Sequence, residues 1–182
     1  MEEGISMREE IFIAGFGGQG IVVAGELLAK AAMLKGYYAI LTKFYGAEVR
    51  GGPVGSGIII SEKPILFQFV RTPDFLLALH ESGVKAHAPK KARIVIADED
   101  LVREVNIECD KILKFPIVKT ADKIESVKVA NMVILGIYSV FSNLIDVSAL
   151  EEAIRKFMRE KYVEQNIRAI RKGAEIGRSS SL

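Results

Sequence analysis

The residues with the clearest chemical potential are glycines. Residues 15–20 read GFGGQG, between an apolar run (EEIFIA, 9–14) and an amphipathic run from Gln19 to Lys35. G-x-G-x-x-G at a strand-to-helix junction is the dinucleotide fingerprint. Gly15 permits a tight turn, Gly17 and Gly18 a close backbone approach, and Gly20 close packing of helix on strand. The helix that follows offers unpaired N–H groups and a partial positive charge to an anion. Gln19 adds an amide that can both donate and accept. A second glycine-rich loop, YGAEVRGGP (45–53), sets Arg50 just before Gly51 and Gly52. A guanidinium fork suits carboxylate or phosphate. The same loop can also be read as a solvated Glu48/Arg50 pair on the surface.

The nicotinamide reading requires a second feature. An Asp or Glu about 20 residues on should end the second strand and take the ribose hydroxyls. Here that strand ends at Thr42, Lys43 and Phe44, and the next acid is Glu48, inside the following loop. The missing acid argues against a nicotinamide dinucleotide. Other reactive residue types are scattered. His80 and His87 are too isolated for a metal site or a triad and are expected to be structural or solvated. Asp98, Glu99 and Asp100 follow an apolar run and are expected to cap a helix and face solvent. Cys109, the only cysteine, rules out an internal disulfide and any cysteine-ligated cluster. No residue reads as a general base with a poised partner.

The elements that position these residues follow from hydrophobic period and turn chemistry. Strands are expected at 9–14, 38–42, 57–61, 74–79, 93–98 and, more weakly, 111–116, and 65–70 could pair back as a short strand. Helices are expected from Gln19 to Lys35, stopped by Gly36, and between Glu81 and Pro89. The chain then turns helical: Val127 to Phe141, a helix opened by a Ser148/Glu151 capping box and running to about Lys161, and Tyr162 to Ile176. This alternation predicts an α/β fold, a three-layer α/β/α Rossmann-like sandwich with a mostly parallel, mixed sheet. It forms a single domain over 8–177 with flexible termini at 1–7 and 178–182. Asn131, inside an apolar helix, should be hydrogen-bonded. It could tie that helix to the RGG loop, reach a subunit interface or play a plain structural part. Gly136, costly in mid-helix, hints at close helix packing.

Bulk properties narrow the function classes. At 182 residues with 49% hydrophobic content the chain can bury a proper core. A net charge of +2 gives no case for nucleic-acid binding. The most apolar window, Val129 to Ile145, is too short and polar for a bilayer span. The acidic, polar start is unlike a signal peptide, so a cytoplasmic protein is expected.

GFGGQGIVVAGELLAKAA, YGAEVRGG and VANMVILG, in that order, carry a resemblance. The sequence resembles the gamma subunit of 2-oxoacid:ferredoxin oxidoreductases, also found as a domain of single-chain pyruvate:ferredoxin oxidoreductase. The resemblance runs from about Arg8 to Gly177, and the motif forms look closer to the 2-oxoglutarate type than to the pyruvate type. It implies a subunit of a complex that decarboxylates a 2-oxoacid on thiamine diphosphate, reduces ferredoxin and forms an acyl-CoA. Thiamine diphosphate, magnesium and iron–sulfur clusters are implied only on the partner alpha, beta and, where separate, ferredoxin-like delta subunits. This chain is implied to help bind coenzyme A and close the thiamine site, and to have no turnover alone. Gly17, Gly18, Gln19 and Gly20 would wall the coenzyme A passage. Arg50 would contact a phosphate or orient the substrate end, Tyr45 and Glu48 would line the loop, Gly51 and Gly52 would form its turn, and Asn131 would support it. A gamma subunit should also expose an apolar patch, for which Ile154, Phe157, Met158, Tyr162, Ile167 and Ile170 were the candidates. Alternatives are a pyruvate, branched-chain or indolepyruvate oxidoreductase subunit, or a free-standing Rossmann-type nucleotide-binding protein.

Overall fold

The computed structural model describes residues 7–47, 51–124 and 126–180. The elements are β1 (Arg8–Phe16), α1 (Ile21–Leu34), β2 (Tyr38–Tyr45), β3 (Pro53–Ser61), β4 (Phe75–Ala78), α2 (Glu81–His87), β5 (Lys91–Asp98) and β6 (Glu108–Phe115). They continue with α3 (Ile117–Ile124), a 3-10 turn (Val127–Val129), α4 (Ala130–Phe141), α5 (Val147–Phe157) and α6 (Glu160–Ser179). The six strands form one sheet in the order β2-β3-β1-β4-β5-β6. β3 runs antiparallel to both β1 and β2, and the pairs β1/β4, β4/β5 and β5/β6 are parallel. β1 and β2 therefore point the same way, and both glycine loops emerge at one edge of the sheet.

Strand alternation divides the core. Ile11 and Ile13 of β1 face a large cluster with α1, α3, α4, α5 and α6. Phe12 and Ala14, on the opposite face, meet a smaller cluster closed by Val84 of α2 and by Val102. The sandwich has three layers, one thick and one thin. α4 is the central helix of the thick layer, buried from Ala130 to Ser139. It crosses α6 so closely that a Cβ added at Gly136 would overlap the Ile170 carbonyl oxygen, and one at Gly173 would overlap that of Val133. The costly mid-helix Gly136 is thus explained by backbone meeting backbone.

Below the sheet, at the N-terminal end of β1, Glu9 is buried. It accepts hydrogen bonds from the hydroxyl of fully buried Tyr138, from Ser142 Oγ (2.8 Å) and from Asn143 N (3.4 Å). Burial pushes the Glu9 carboxyl above its usual range; the three hydrogen bonds oppose this and nearby Asp74 adds to it.

Several expectations need correction. Residues 65–70 form no strand, because β3 already has β1 on one side and β2 on the other. β2 runs on to Tyr45 and β3 starts at Pro53, so the loop between them is shorter than expected. Helix α3 went unexpected because its short apolar stripe adjoins the strand-like run before it. α5 is capped by Asp146, whose Oδ1 accepts from Ala149 N at 2.8 Å, and not by a Ser148/Glu151 box. The terminal RSSSL was expected to fray, yet Arg178 and Ser179 complete α6. Ile154, Ile167 and Ile170 belong to the core, leaving Phe157 and Tyr162 half-exposed, so the C-terminal helices do not present the expected patch. The exposed apolar side chains Leu66, Phe67 and Phe69 lie instead on the segment after β3.

Candidate functional site

The two glycine loops are fastened to each other. The β1/β3 ladder ends at the pair Phe16 and Pro53. One step beyond it, Gly17 N donates to the Gly52 carbonyl at 2.8 Å. A Cβ on Gly17 would sit 3.1 Å from Gly51 Cα, closer than packed atoms normally come. Gly51 itself lies at φ 64, a left-handed conformation that favours glycine. The base of the second loop is held by Gly46 N, which donates to the Pro53 carbonyl at 3.0 Å. His87 Nε2 lies 3.1 Å from that same carbonyl.

The first loop is braced from within. Gln19 Oε1 accepts from Phe16 N at 2.7 Å, and its Nε2 donates to the Leu79 carbonyl at 3.3 Å. The amide therefore spans the turn and ties it to the end of β4. Gly20 follows as N-cap of α1 at φ 71, and no side chain caps this helix. Asn131 Nδ2 donates to the Gly20 carbonyl at 3.1 Å, which links α4 to the turn. A Cβ at Gly20 would collide with that same nitrogen.

Between the loops lies an open cleft of about 470 Å³. Its walls are Gly17, Gly18 and Gly20 on one side and Gly46, Gly51 and Gly52 on the other, with Phe16, Tyr45 and Val23 among the side chains at its surface. Its six glycines leave main-chain N–H and C=O groups accessible between apolar side chains, and the start of α1 adds N–H donors.

Most of the site residues expected from sequence come together here: Gly17, Gly18, Gly20, Tyr45, Gly51 and Gly52 all line the cleft. Glu48 and Arg50 lie outside the described residues. Gln19 lines no cleft wall, since both functions of its amide are engaged inside the turn. Asn131 faces a neighbouring cleft and binds the GFGGQG turn, where the RGG loop was one expectation.

The remaining polar residues have structural partners. His80 Nδ1 accepts from Ser82 N (3.2 Å) and caps α2, and its ring lies 5.3 Å from that of Phe16. His87 was read as structural or solvated, and its support of the second loop had no sequence signal, because it depends on α2 crossing β3. Asp98 is a cap as expected, but fully buried where a solvated acid was expected. Its Oδ1 accepts from Asp100 N (3.0 Å) and Leu101 N (2.9 Å), and its Oδ2 from Val118 N (2.8 Å) at the start of α3. Glu99 and Asp100 both pair with Lys119. Burial, with Asp110 beside it, pushes the Cys109 thiol up and favours its neutral form.

Sheet order, loop placement and the three layers define an α/β domain of Rossmann-like architecture. The chain belongs to the pyruvate ferredoxin/flavodoxin oxidoreductase family, whose profile matches residues 10–176. Within it, the chain is a gamma-type subunit of a 2-oxoacid:ferredoxin oxidoreductase. It is 36% identical to the 2-oxoglutarate synthase subunit KorC of Methanothermobacter thermautotrophicus, over 94% of this chain and 96% of that one. It is 31% identical to the common gamma subunit of the pyruvate/ketoisovalerate oxidoreductases of Pyrococcus furiosus, over 91% and 95% of the two chains. Among solved structures it matches the keto/oxoacid ferredoxin oxidoreductase gamma subunit of Geobacter sulfurreducens at a TM-score of 0.81 and 31% identity, over 95% and 98% of the two chains. The 2-oxoglutarate:ferredoxin oxidoreductase of Magnetococcus marinus, solved with 2-oxoglutarate, coenzyme A and succinyl-CoA bound, shares the fold. There the TM-score is 0.80 and the identity 24%, over 94% of this chain and 31% of that one. No described helix is long and apolar enough to cross a membrane.

Proposed function

We propose that this subunit serves a complex that oxidatively decarboxylates 2-oxoglutarate, forms succinyl-CoA and passes electrons to ferredoxin. Its own part is to bind coenzyme A and to close the thiamine site. The observation that carries the reading is the cleft between the two clasped glycine loops. Coenzyme A offers phosphates and two amides on a long flexible arm, which suit free N–H donors at the start of α1 and carbonyls along the loops. The 2-oxoglutarate assignment rests on the likeness to KorC. Thiamine diphosphate supplies the decarboxylation chemistry, and it, magnesium and the iron–sulfur clusters are assigned to the partner alpha, beta and, where separate, ferredoxin-like delta subunits. Cytoplasmic assembly with these partners completes the proposal, and the chain alone has no turnover.

The test is Arg50→Ala in the assembled complex. Arg50 adjoins Gly51 in the loop that forms one wall of the cleft. The expected result is a KM for coenzyme A raised about tenfold, the loss of roughly one charge-assisted contact, with the KM for 2-oxoglutarate unaltered. An unchanged KM for coenzyme A would sink the reading.

A further inference from the structure

Helix α2 lies behind both glycine loops, on the face of the sheet opposite α1. The ring of its N-cap His80 is 5.3 Å from that of Phe16. Its Gly83 packs so closely on the first turn that a Cβ there would overlap Gly15 N and O. Its last residue, His87, reaches the start of β3 at Pro53. One helix of seven residues therefore touches the root of each loop.

The His87 contact fixes the place of a proton. A carbonyl oxygen only accepts, so Nε2, 3.1 Å from the Pro53 oxygen, is the nitrogen that donates. Gly46 N donates to the same oxygen at 3.0 Å. Gly46 reaches it along the sheet from the β2 side, and His87 reaches it from the α2 layer. Two donors from different directions fill both lone pairs and hold the plane of the 53–54 peptide. The two residues before that peptide, Gly51 and Gly52, form part of the cleft wall, and the Gly52 carbonyl accepts from Gly17 N in the first loop.

The imidazole has a prepared seat. Its ring lies 6.2 Å from that of Phe44. Gly55 leaves the space beneath it open: a Cβ there would come 3.2 Å from His87 Cβ and 2.9 Å from the Phe12 ring. His87 is not among the residues at the cleft surface, whereas Pro53 is. We infer that His87 is a positioning residue, which acts through the Pro53 carbonyl to set the second loop against the first. Its kinetic consequence rests on the coenzyme A reading above.

Two variants of the assembled complex separate the hydrogen bond from the packing. His87→Phe keeps a ring against Phe44 and loses the donor; His87→Gln keeps an amide donor at similar reach and loses the ring. Hydrogen exchange over residues 44–56, followed by mass spectrometry, reads the loop, and steady-state rates read its effect. His87→Phe is expected to speed exchange there about fivefold, the loss of one neutral hydrogen bond. It should raise the KM for coenzyme A by a similar factor and leave the KM for 2-oxoglutarate unaltered. His87→Gln should restore most of both. Unchanged exchange in His87→Phe overturns the inference, and so does equal impairment in the two variants, because packing alone would then explain the effect. Arg50→Ala separates the two claims. If Arg50→Ala alone raises the KM for coenzyme A, this inference fails and the coenzyme A reading stands. If exchange responds as expected and neither Arg50→Ala nor His87→Phe changes that KM, His87 holds the loop as inferred and the coenzyme A reading fails.

Discussion

Gly136→Ala sets a favourable helix propensity against a backbone collision. Ala is better than Gly in a helix interior by about 0.5–1 kcal/mol. Against this, the new Cβ would overlap the Ile170 carbonyl oxygen, 2.9 Å from its carbon and 3.0 Å from Ala174 N. All three are main-chain atoms of α6, so no rotamer change relieves the contact and the helices must move apart. Overpacking costs about 1–3 kcal/mol, and a rigid neighbour belongs at the upper end. The net loss is about 2 kcal/mol once the propensity gain is subtracted. For a chain of this length each kcal/mol moves the melting temperature by about 2–4 °C, so Tm should fall by about 4–8 °C. Urea unfolding and calorimetry on one preparation measure both quantities. Gly173 faces Gly136, with a Cβ there only 3.1 Å from Gly136 Cα. Helices already separated by one methyl accommodate the second more easily, so Gly136→Ala/Gly173→Ala should lose less than the sum of the single variants. A Gly136→Ala protein melting at or above the parent temperature would refute the argument.

Two further predictions concern buried carboxylates. Asp98→Ala strands three backbone N–H groups inside the fold and should cost about 3 kcal/mol, read from the urea midpoint. A loss below about 1 kcal/mol would show that water replaces the carboxylate. Glu9 titrates above its ordinary value of 4.5, chiefly through burial. A raised folded-state pKa means that its contribution to stability is complete below the unfolded value and is lost as pH rises through the folded one. Glu9→Gln removes this titration, so its stability should fall less than the parent's between about pH 4.5 and neutral. Identical pH slopes in urea unfolding of the two proteins would contradict the assignment.

The sheet strands were legible where apolar runs were long and bounded by polar residues, as at 74–79 and 93–98. The glycine turn was legible because its geometry demands glycine at fixed spacing. Other features depended on partners distant in sequence. Residues 65–70 have strand composition, but whether such a run pairs depends on which sheet edges are free. Gln19 and His87 are ordinary polar residues until Leu79 and Pro53 are brought beside them. Asn131 was marked as needing a partner, but its neighbours were not: it is 111 residues from Gly20.

The clasp between the loops gives the cleft a particular mechanical character. Gly17 N to Gly52 O is the next tooth of the zip formed by β1 and β3, set just past the Phe16 and Pro53 pair. Opening the cleft undoes this zip from its free end and leaves the teeth below engaged. The mouth can widen by one hydrogen bond while β1 stays held between β3 and β4. Gln19 anchors the same free end to β4 through Leu79, so the slack in the first loop is confined to Gly17 and Gly18.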